Sequence, residues 1–171
     1  MERITKTGEP GKNLIKLKEG FRSKPYFCPA KVPTIGYGAT YYPDGKRVSM
    51  NDSPITEEWA DTILSDMLVT YEKAVDSYTR DDINQNQFDA LVSFAYNLGV
   101  GNLKSSTLLR KVNTNPSDPS IKDEFLKWVS ADGTHDGKDN DGDGLVDEAG
   151  EKMKLQGLIN RRLLEAELYF S

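Results

Sequence analysis

Lys16-Leu17-Lys18-Glu19-Gly20-Phe21, then Lys24-Pro25-Tyr26-Phe27, then Cys28-Pro29-Ala30-Lys31-Val32-Pro33-Thr34-Ile35-Gly36-Tyr37-Gly38, is the run on which the fold turns. It predicts a short helix over residues 13–20, with Leu14, Ile15 and Leu17 as its apolar face and Gly20 as its stop. Extended segments follow at Tyr26-Phe27, Thr34 to Tyr37 and Val48, with Pro43-Asp44-Gly45 as a turn before the last. Proline fixes φ there and glycine tolerates a positive one. The reading is a small antiparallel sheet of two or three strands.

Beyond Ser53-Pro54 the period changes from two to nearly four. Pro54 suits a first helical turn, and Glu57 and Glu58 suit the positive end of a helix. Trp59, Ile63, Met67, Tyr71, Val75 and Tyr78 predict one long amphipathic helix bridging the sheet lobe to the rest. A second helix is expected over about 86–98, with Phe88, Leu91, Val92 and Ala95 on one face and Gly99 as its stop. Shorter helices near 106–112 and 121–129, and a last one over about 155–169, complete the pattern. The class is α+β: a small antiparallel β lobe joined by a long helix to a mostly α-helical lobe. One domain over 1–171 is expected, with residues 13–53 as N-terminal helix and β lobe, 54–171 as bridging helix and helical lobe, and 132–150 as an acidic insert.

Glu19, Cys28 and Thr34 stand in a Glu-x8-Cys-x5-Thr spacing. Taken singly, each has a plain reading: a solvated glutamate, a small buried thiol and an ordinary strand residue. Taken together they place an acid, a thiol and a hydroxyl around one helix-to-strand transition. Glu19 falls where the helix dipole is negative, and a carboxylate there is locally awkward unless it has work to do. A helix end and partial burial both favour the neutral carboxyl, which is the form a general acid needs.

The combination resembles the active-site signature of phage-type lysozymes, the endolysins of glycoside hydrolase family 24, in which the middle position is usually Asp and sometimes Cys. Gln87-Phe88-Asp89-Ala90-Leu91-Val92-Ser93-Phe94 with Asn97-Leu98-Gly99 is similar to that family's central helix. Gly157-Leu158-Ile159-Asn160-Arg161-Arg162 with Glu165 is similar to its final helix. The likeness covers nearly the whole chain outside residues 132–150. One departure is Ala39, where the family commonly has His. The resemblance implies a lysozyme-like fold and a bacteriolytic muramidase. Its substrate would be bacterial peptidoglycan, cut at the β-1,4 bond between N-acetylmuramic acid and N-acetylglucosamine. Glu19 would protonate the glycosidic oxygen. Cys28 would either attack the sugar as a thiolate or hold a water together with Thr34; a nearby carboxylate would push its thiol upward, so water-holding with inversion is the reading taken. Arg161 and Arg162 are expected to organise the lobe interface or helix end, and Asn97 to line the cleft. The competing reading is an inactive or weak, calcium-dependent wall-binding protein on the same fold.

Asp139-x-Asp141-x-Asp143-Gly144, followed by Asp147 and Glu148, is the second specific signal. Ca²⁺ takes six to eight oxygens, and alternate carboxylates on a tight loop supply them, with the Leu145 carbonyl as a further ligand. An EF-hand loop wants an acid at its twelfth position, but Gly150 stands there. The stretch is similar to the shorter calcium loops of dockerin-like and thrombospondin-type repeats. A structural Ca²⁺ held by Asp139, Asp141, Asp143, Leu145, Asp147 and Glu148 is expected, with Asp136 as a possible addition and no cofactor for catalysis. The alternative is a solvated acidic loop.

Composition limits the remaining classes. Seven acids against Lys138 make residues 132–148 a local −6, so a formal net charge of −5 leaves +1 for everything else. No basic stripe supports a nucleic-acid partner. A lone Cys and a lone His exclude an intramolecular disulfide and a Cys/His zinc cage, and His135 is read as a surface residue rather than a partner of Cys28. No apolar run approaches the ~20 residues of a membrane span, and the first residues offer no signal segment. The expectation is a monomer made in a bacterial cytoplasm, not inserted in a membrane, that acts on the cell wall after release.

Overall fold

A computed structural model describes residues 3–132, 152–154 and 156–171, with side chains described for 3–130 and 156–171. The expected calcium ligands Asp139, Asp141, Asp143, Leu145, Asp147 and Glu148, together with Asp136 and His135, lie outside the described residues.

Helix α1 spans Glu9–Glu19, four residues earlier at its start than the apolar periodicity indicates. Pro10 is tolerated there because the first turn needs no amide donors. Gly8 at the N-cap has no side chain to close the helix, so the cap comes from a distance. Asp89 accepts hydrogen bonds from the Gly8 amide at 2.9 Å and the Gly11 amide at 3.0 Å. Burial pushes the Asp89 carboxyl up, and these amides with the Gln85 side chain oppose it. Leu14 and Ile15 are buried as expected, but Leu17 is 70 % exposed. The helix buries a narrow stripe, and Leu17 lies off it.

Gly20, with φ 72°, ends α1 and turns the chain into β1, Arg22–Phe27, which pairs antiparallel with β2, Pro33–Gly36. Tyr26 faces Thr34 and Phe27 faces Pro33 in the register. Strand β2 stops at Gly36, not at Tyr37. Gly36 and Gly38 have φ of 64° and 97°, and Ile35 and Ala39 exchange both backbone hydrogen bonds at 2.9 Å around them. The chain therefore reverses within three residues, a path that needs φ > 0 at two of them. Val48 forms no third strand; its amide bonds the Thr40 carbonyl, and its side chain joins Ile35, Ala39 and Ile63 in a small buried cluster. Ala39 is part of that cluster, so the alanine at the departure position fills core space. The Pro43 turn forms as expected, with Gly45 at φ 83° donating to the Tyr42 carbonyl.

Helix α2, Glu57–Tyr78, is about 33 Å long at ~1.5 Å per residue. Thr56 caps it through a bond from the Trp59 amide at 3.2 Å. Its buried face is Ala60, Ile63, Leu64, Leu68 and Val75, while Trp59 is exposed. Helix α3, Gln85–Leu98, opens with a reciprocal capping box between Asn84 and Gln87 and is buried along nearly its whole length. It packs against α1, α2 and α7, which makes it the axis of the main core. Ile15 and Tyr37 belong to that same core, so α1 sits with the helical body rather than with the sheet.

Helix α4, Val100–Ser105, was not indicated by the sequence; α5, Thr107–Thr114, and α6, Ile121–Leu126, follow it. Strands β3, Ser130–Asp132, and β4, Lys152–Lys154, pair antiparallel and bracket the acidic insert, a ladder also missed in the sequence. Helix α7, Gln156–Tyr169, closes the chain against α3 and α6.

The close approach of α1 to α3 generates a prediction. A Cβ on Gly11 would meet Asp89 Cβ at 2.7 Å, Asp89 Cγ at 2.8 Å and Thr7 Cγ2 at 2.8 Å. Gly11→Ala should therefore destabilise the fold by about 2 kcal/mol, as overpacking does, and lower the thermal midpoint; an unchanged midpoint would show that the two helices have room to separate.

Candidate active site

Glu19 is the last residue of α1, and its side chain is 26 % exposed. A helix end gives a carboxylate no favourable charge, so the cation comes from α7: Arg161 Nη1 donates to Glu19 Oε1 at 2.7 Å. The other oxygen, Oε2, lies toward Gly38, where a Cβ would stand 3.7 Å from it. Gly38 thus keeps the strand end open above the carboxyl as well as making the turn.

Three phenols surround the same carboxylate. Tyr96, Tyr71 and Tyr26 all have hydroxyls pushed up, first by burial and next by the Glu19 charge. They are neutral groups at any physiological pH. Tyr96 also donates to the Tyr37 carbonyl at 2.8 Å, and its ring lies 5.1 Å from that of Tyr71. Tyr37 in turn donates to Glu57 at 2.8 Å, with its own phenol pushed up to about 12 by burial and then by Glu57. The turn at Gly36–Gly38 is therefore pinned to α3 by its backbone and to α2 by its side chain.

Cys28 sits where β1 gives way to the tip of the hairpin. Its amide bonds the Val32 carbonyl at 3.1 Å and its carbonyl accepts from Lys31 at 2.8 Å, with Lys31 at φ 59°. That is a three-residue loop with its left-handed position occupied by lysine in place of the usual glycine. The thiol is partly exposed. Hydrogen bonding from the Val32 backbone is the main influence on it, aided by the Thr34 hydroxyl, and the thiol is held below its ordinary value against the cost of desolvation. The expectation of an upward push from a neighbouring carboxylate is thus corrected: the loop's own donors decide the direction. Thr34 is buried, and its hydroxyl donates to the Val32 carbonyl at 2.9 Å. The structure places Thr34 against Cys28, and places Tyr26 within the influence of both Glu19 and Cys28.

Behind Glu19 lies a buried charge cluster. Arg161 and Arg162 have side chains 6 % and 0 % exposed. Glu165 Oε1 accepts from Ser93 Oγ at 2.7 Å, Arg162 Nη2 at 2.8 Å and Arg161 Nε at 3.3 Å. Arg162 Nη2 also donates to Asn97 Oδ1 at 3.0 Å, and its guanidinium lies 5.1 Å from the Phe94 ring centre. Burial raises the proton affinity of Glu165, and the two guanidinium groups and the Ser93 hydroxyl oppose it. With two cations against it, we read the carboxyl as ionised. Asn97, expected to line the cleft, is engaged by Arg162. Arg161, expected at the lobe interface or helix end, grips Glu19 instead, and the arginine pair in the last helix is the one local signal of that contact.

A family model described as phage lysozyme matches residues 16–165. The chain belongs to the phage lysozyme family. Its relatives include the endolysin of Bacillus phage B103, 43 % identical over 127 residues, covering 73 % of this chain and 46 % of the relative. The chain thus spans about half the length of that relative. Among solved structures, the endolysin from Escherichia coli O157:H7 phage FAHEc1 is similar at TM-score 0.80 and 31 % identity, over 97 % of this chain and 94 % of that one. The muramidase domain of SpmX from Asticaccaulis excentricus is similar at TM-score 0.78 and 30 % identity, over 97 % and 98 %. The helix-to-hairpin segment carrying Glu19, Cys28 and Thr34 lies within the family match, and so does the Arg161–Glu165 cluster. Among the described residues no helix is long and apolar enough to cross a membrane, and no group of three or more acidic, Cys or His side chains forms a metal site.

The hydrogen bonds around Cys28 in this phage lysozyme relative carry a pH prediction. A thiol held low is thiolate at a lower pH, so its alkylation by iodoacetamide should rise with pH through a midpoint below that of a free cysteine peptide measured alongside. Mass-spectrometric alkylation rates across pH check this; a midpoint at or above that value would show that the loop gives the sulfur no net help.

Proposed function

We propose that the chain is a peptidoglycan hydrolase, an N-acetylmuramidase that cleaves the β-1,4 bond between N-acetylmuramic acid and N-acetylglucosamine during host lysis. The observation that carries this reading is Glu19: a carboxyl gripped through one oxygen by Arg161, with the other oxygen directed to the mouth of the hairpin under Gly38. Membership in the phage lysozyme family and the likeness to a muramidase domain support the substrate class.

In this mechanism Glu19 gives its proton to the glycosidic oxygen as the bond from the anomeric carbon breaks and positive charge grows on the ring. A water attacks the opposite face and gives up its proton to Cys28, whose thiolate is favoured by hydrogen bonds within its loop. Thr34 supports the sulfur through its hydroxyl. The anomeric configuration inverts. The neutral phenols of Tyr26, Tyr71 and Tyr96 line the acid without competing for its charge.

Calcium remains part of the proposal for residues 139–148, supported by the spacing of the carboxylates alone. The β3–β4 ladder brings the two ends of the insert side by side, so an ion there would order the insert without touching catalysis.

Glu19→Gln should lower the clearing of peptidoglycan suspensions by about 10²–10⁴-fold, the usual worth of a general acid, whereas Cys28→Asp should keep activity. An active Glu19→Gln protein would sink the assignment, and binding without turnover by the wild type would favour the wall-binding alternative. Proton NMR of fresh product should show the inverted anomer first. Thermal melts should rise with Ca²⁺ relative to EDTA; identical midpoints would mean that the insert holds no ion.

A further inference from the structure

We propose that Glu165 is a positioning residue for the Glu19 acid: it fixes the plane of Arg161, which holds one oxygen of the Glu19 carboxyl and leaves the other to the cleft. This rests on the reading of Glu19 as the proton donor.

The geometry is that of a rigid coupler. The Arg161 guanidinium is planar, and its nitrogens cannot be moved independently. Its Nε points inward to Glu165 Oε1 at 3.3 Å, its Nη2 to the Ser93 carbonyl at 3.4 Å, and its Nη1 outward to Glu19 Oε1 at 2.7 Å. Any tilt at the inner end therefore displaces the outer end. Glu165 cannot itself tilt freely, because Ser93 Oγ and Arg162 Nη2 hold the same oxygen at 2.7 and 2.8 Å inside a fully buried site. One oxygen of Glu165 thus gathers three donors from α3 and α7.

Charge balance reinforces the geometry. Glu165 pairs with both buried guanidinium groups, whereas Glu19 pairs with Arg161 alone. The other described groups facing Glu19 are the phenols of Tyr26 on β1, Tyr71 on α2 and Tyr96 on α3, and these stay neutral. Removing the Glu165 charge therefore leaves Arg161, among the described residues, with Glu19 as its carboxylate partner and makes the surroundings of Glu19 more positive. The acid would hold its proton less well.

The test is the pH–rate profile of wild type, Glu165→Gln, Ser93→Ala and Glu19→Gln on solubilised peptidoglycan strands, with rates expressed per folded molecule. Glu19 acts protonated and Cys28 as thiolate, so the active form is the singly protonated pair, and the acidic limb follows the carboxyl, the group of lower proton affinity. For Glu165→Gln we expect kcat to fall about ten- to a hundredfold, KM to change little, and the acidic limb to move to lower pH by about half a unit or more. For Ser93→Ala, which alters no charge, kcat should fall severalfold with the limb unmoved. A merely structural role would lower the melting temperature and the folded yield but shift neither kcat per folded molecule nor the limb. Folded Glu165→Gln with wild-type kcat and limb overturns the proposal. Should that variant fail to fold, wild-type kcat in Ser93→Ala overturns it instead. An active Glu19→Gln would mark the failure of the underlying reading, separately from the positioning role.

Discussion

Two guanidinium groups buried side by side impose a condition that the rest of the molecule has to meet. Taking Arg161 and Arg162 out of water costs several kcal/mol each unless anions and hydrogen-bond acceptors replace the solvent. Glu165 supplies an anion from one turn farther along α7, Ser93 and Asn97 supply acceptors and a donor from α3, and Glu19 supplies a further acceptor oxygen from the end of α1. The three helices that form the main body are thereby tied at one place, and that place is the back wall of the cleft. Holding the acid and closing the core are the same set of contacts. A cluster that stabilised the fold alone would be replaceable by apolar side chains; one that ends at a partly exposed carboxylate is not.

The front of the site is held by different physics. The reversal at Gly36–Gly38 depends on two left-handed residues and on the bond from Tyr96 to the Tyr37 carbonyl, while Tyr37 reaches α2 through Glu57. The hairpin that carries Cys28 is only two strands wide, and a ribbon of that size is marginal alone. It gains definition from the helices beneath it: α2 packs on β2, and the Ile55 amide bonds the Ser23 carbonyl. The sheet lobe is thus an extension of the helical body more than an independent unit, consistent with α1 sharing its core with α3 and α7.

These contacts explain what could be read from the chain and what could not. The stop at Gly20, the acids at the start of α2 and the stop at Gly99 are local signals, and each falls where the structure has it. The Asp89 cap of α1 is invisible locally, because donor and acceptor are 78 and 81 residues apart. The long-helix face holds from Ile63 to Tyr78, where each expected residue is buried or packed on the core, and fails only at Trp59, for a geometric reason. A strict four-residue spacing drifts by about 40° per step around a helix of ~3.6 residues per turn, so a stripe begun at Trp59 cannot stay buried through Val75. Leu17 fails likewise, since an apolar residue on α1 need not face the core. Glu19, Cys28 and Thr34 were found through spacing and resemblance. The Arg161–Glu165 support behind them needed coordinates, because pairing across 142 residues leaves no local mark.

What a cysteine changes at the hairpin follows from its surroundings. A carboxylate at that position would be ionised at neutral pH whatever its loop did, since its ordinary value is about 3.9. A thiol depends on its neighbours for the same charge. The loop supplies them in backbone hydrogen bonding at Val32 and the hydroxyl of Thr34, and the thiol responds by moving down. Lys31 takes a left-handed conformation that glycine normally occupies, a strain the hairpin bears in the tight loop that closes over Val32. The hairpin tip therefore moves the thiol toward its charged form, a shift that an aspartate would not need. The loop from Cys28 to Thr34, more than the cysteine by itself, thus sets the proton affinity of the sulfur.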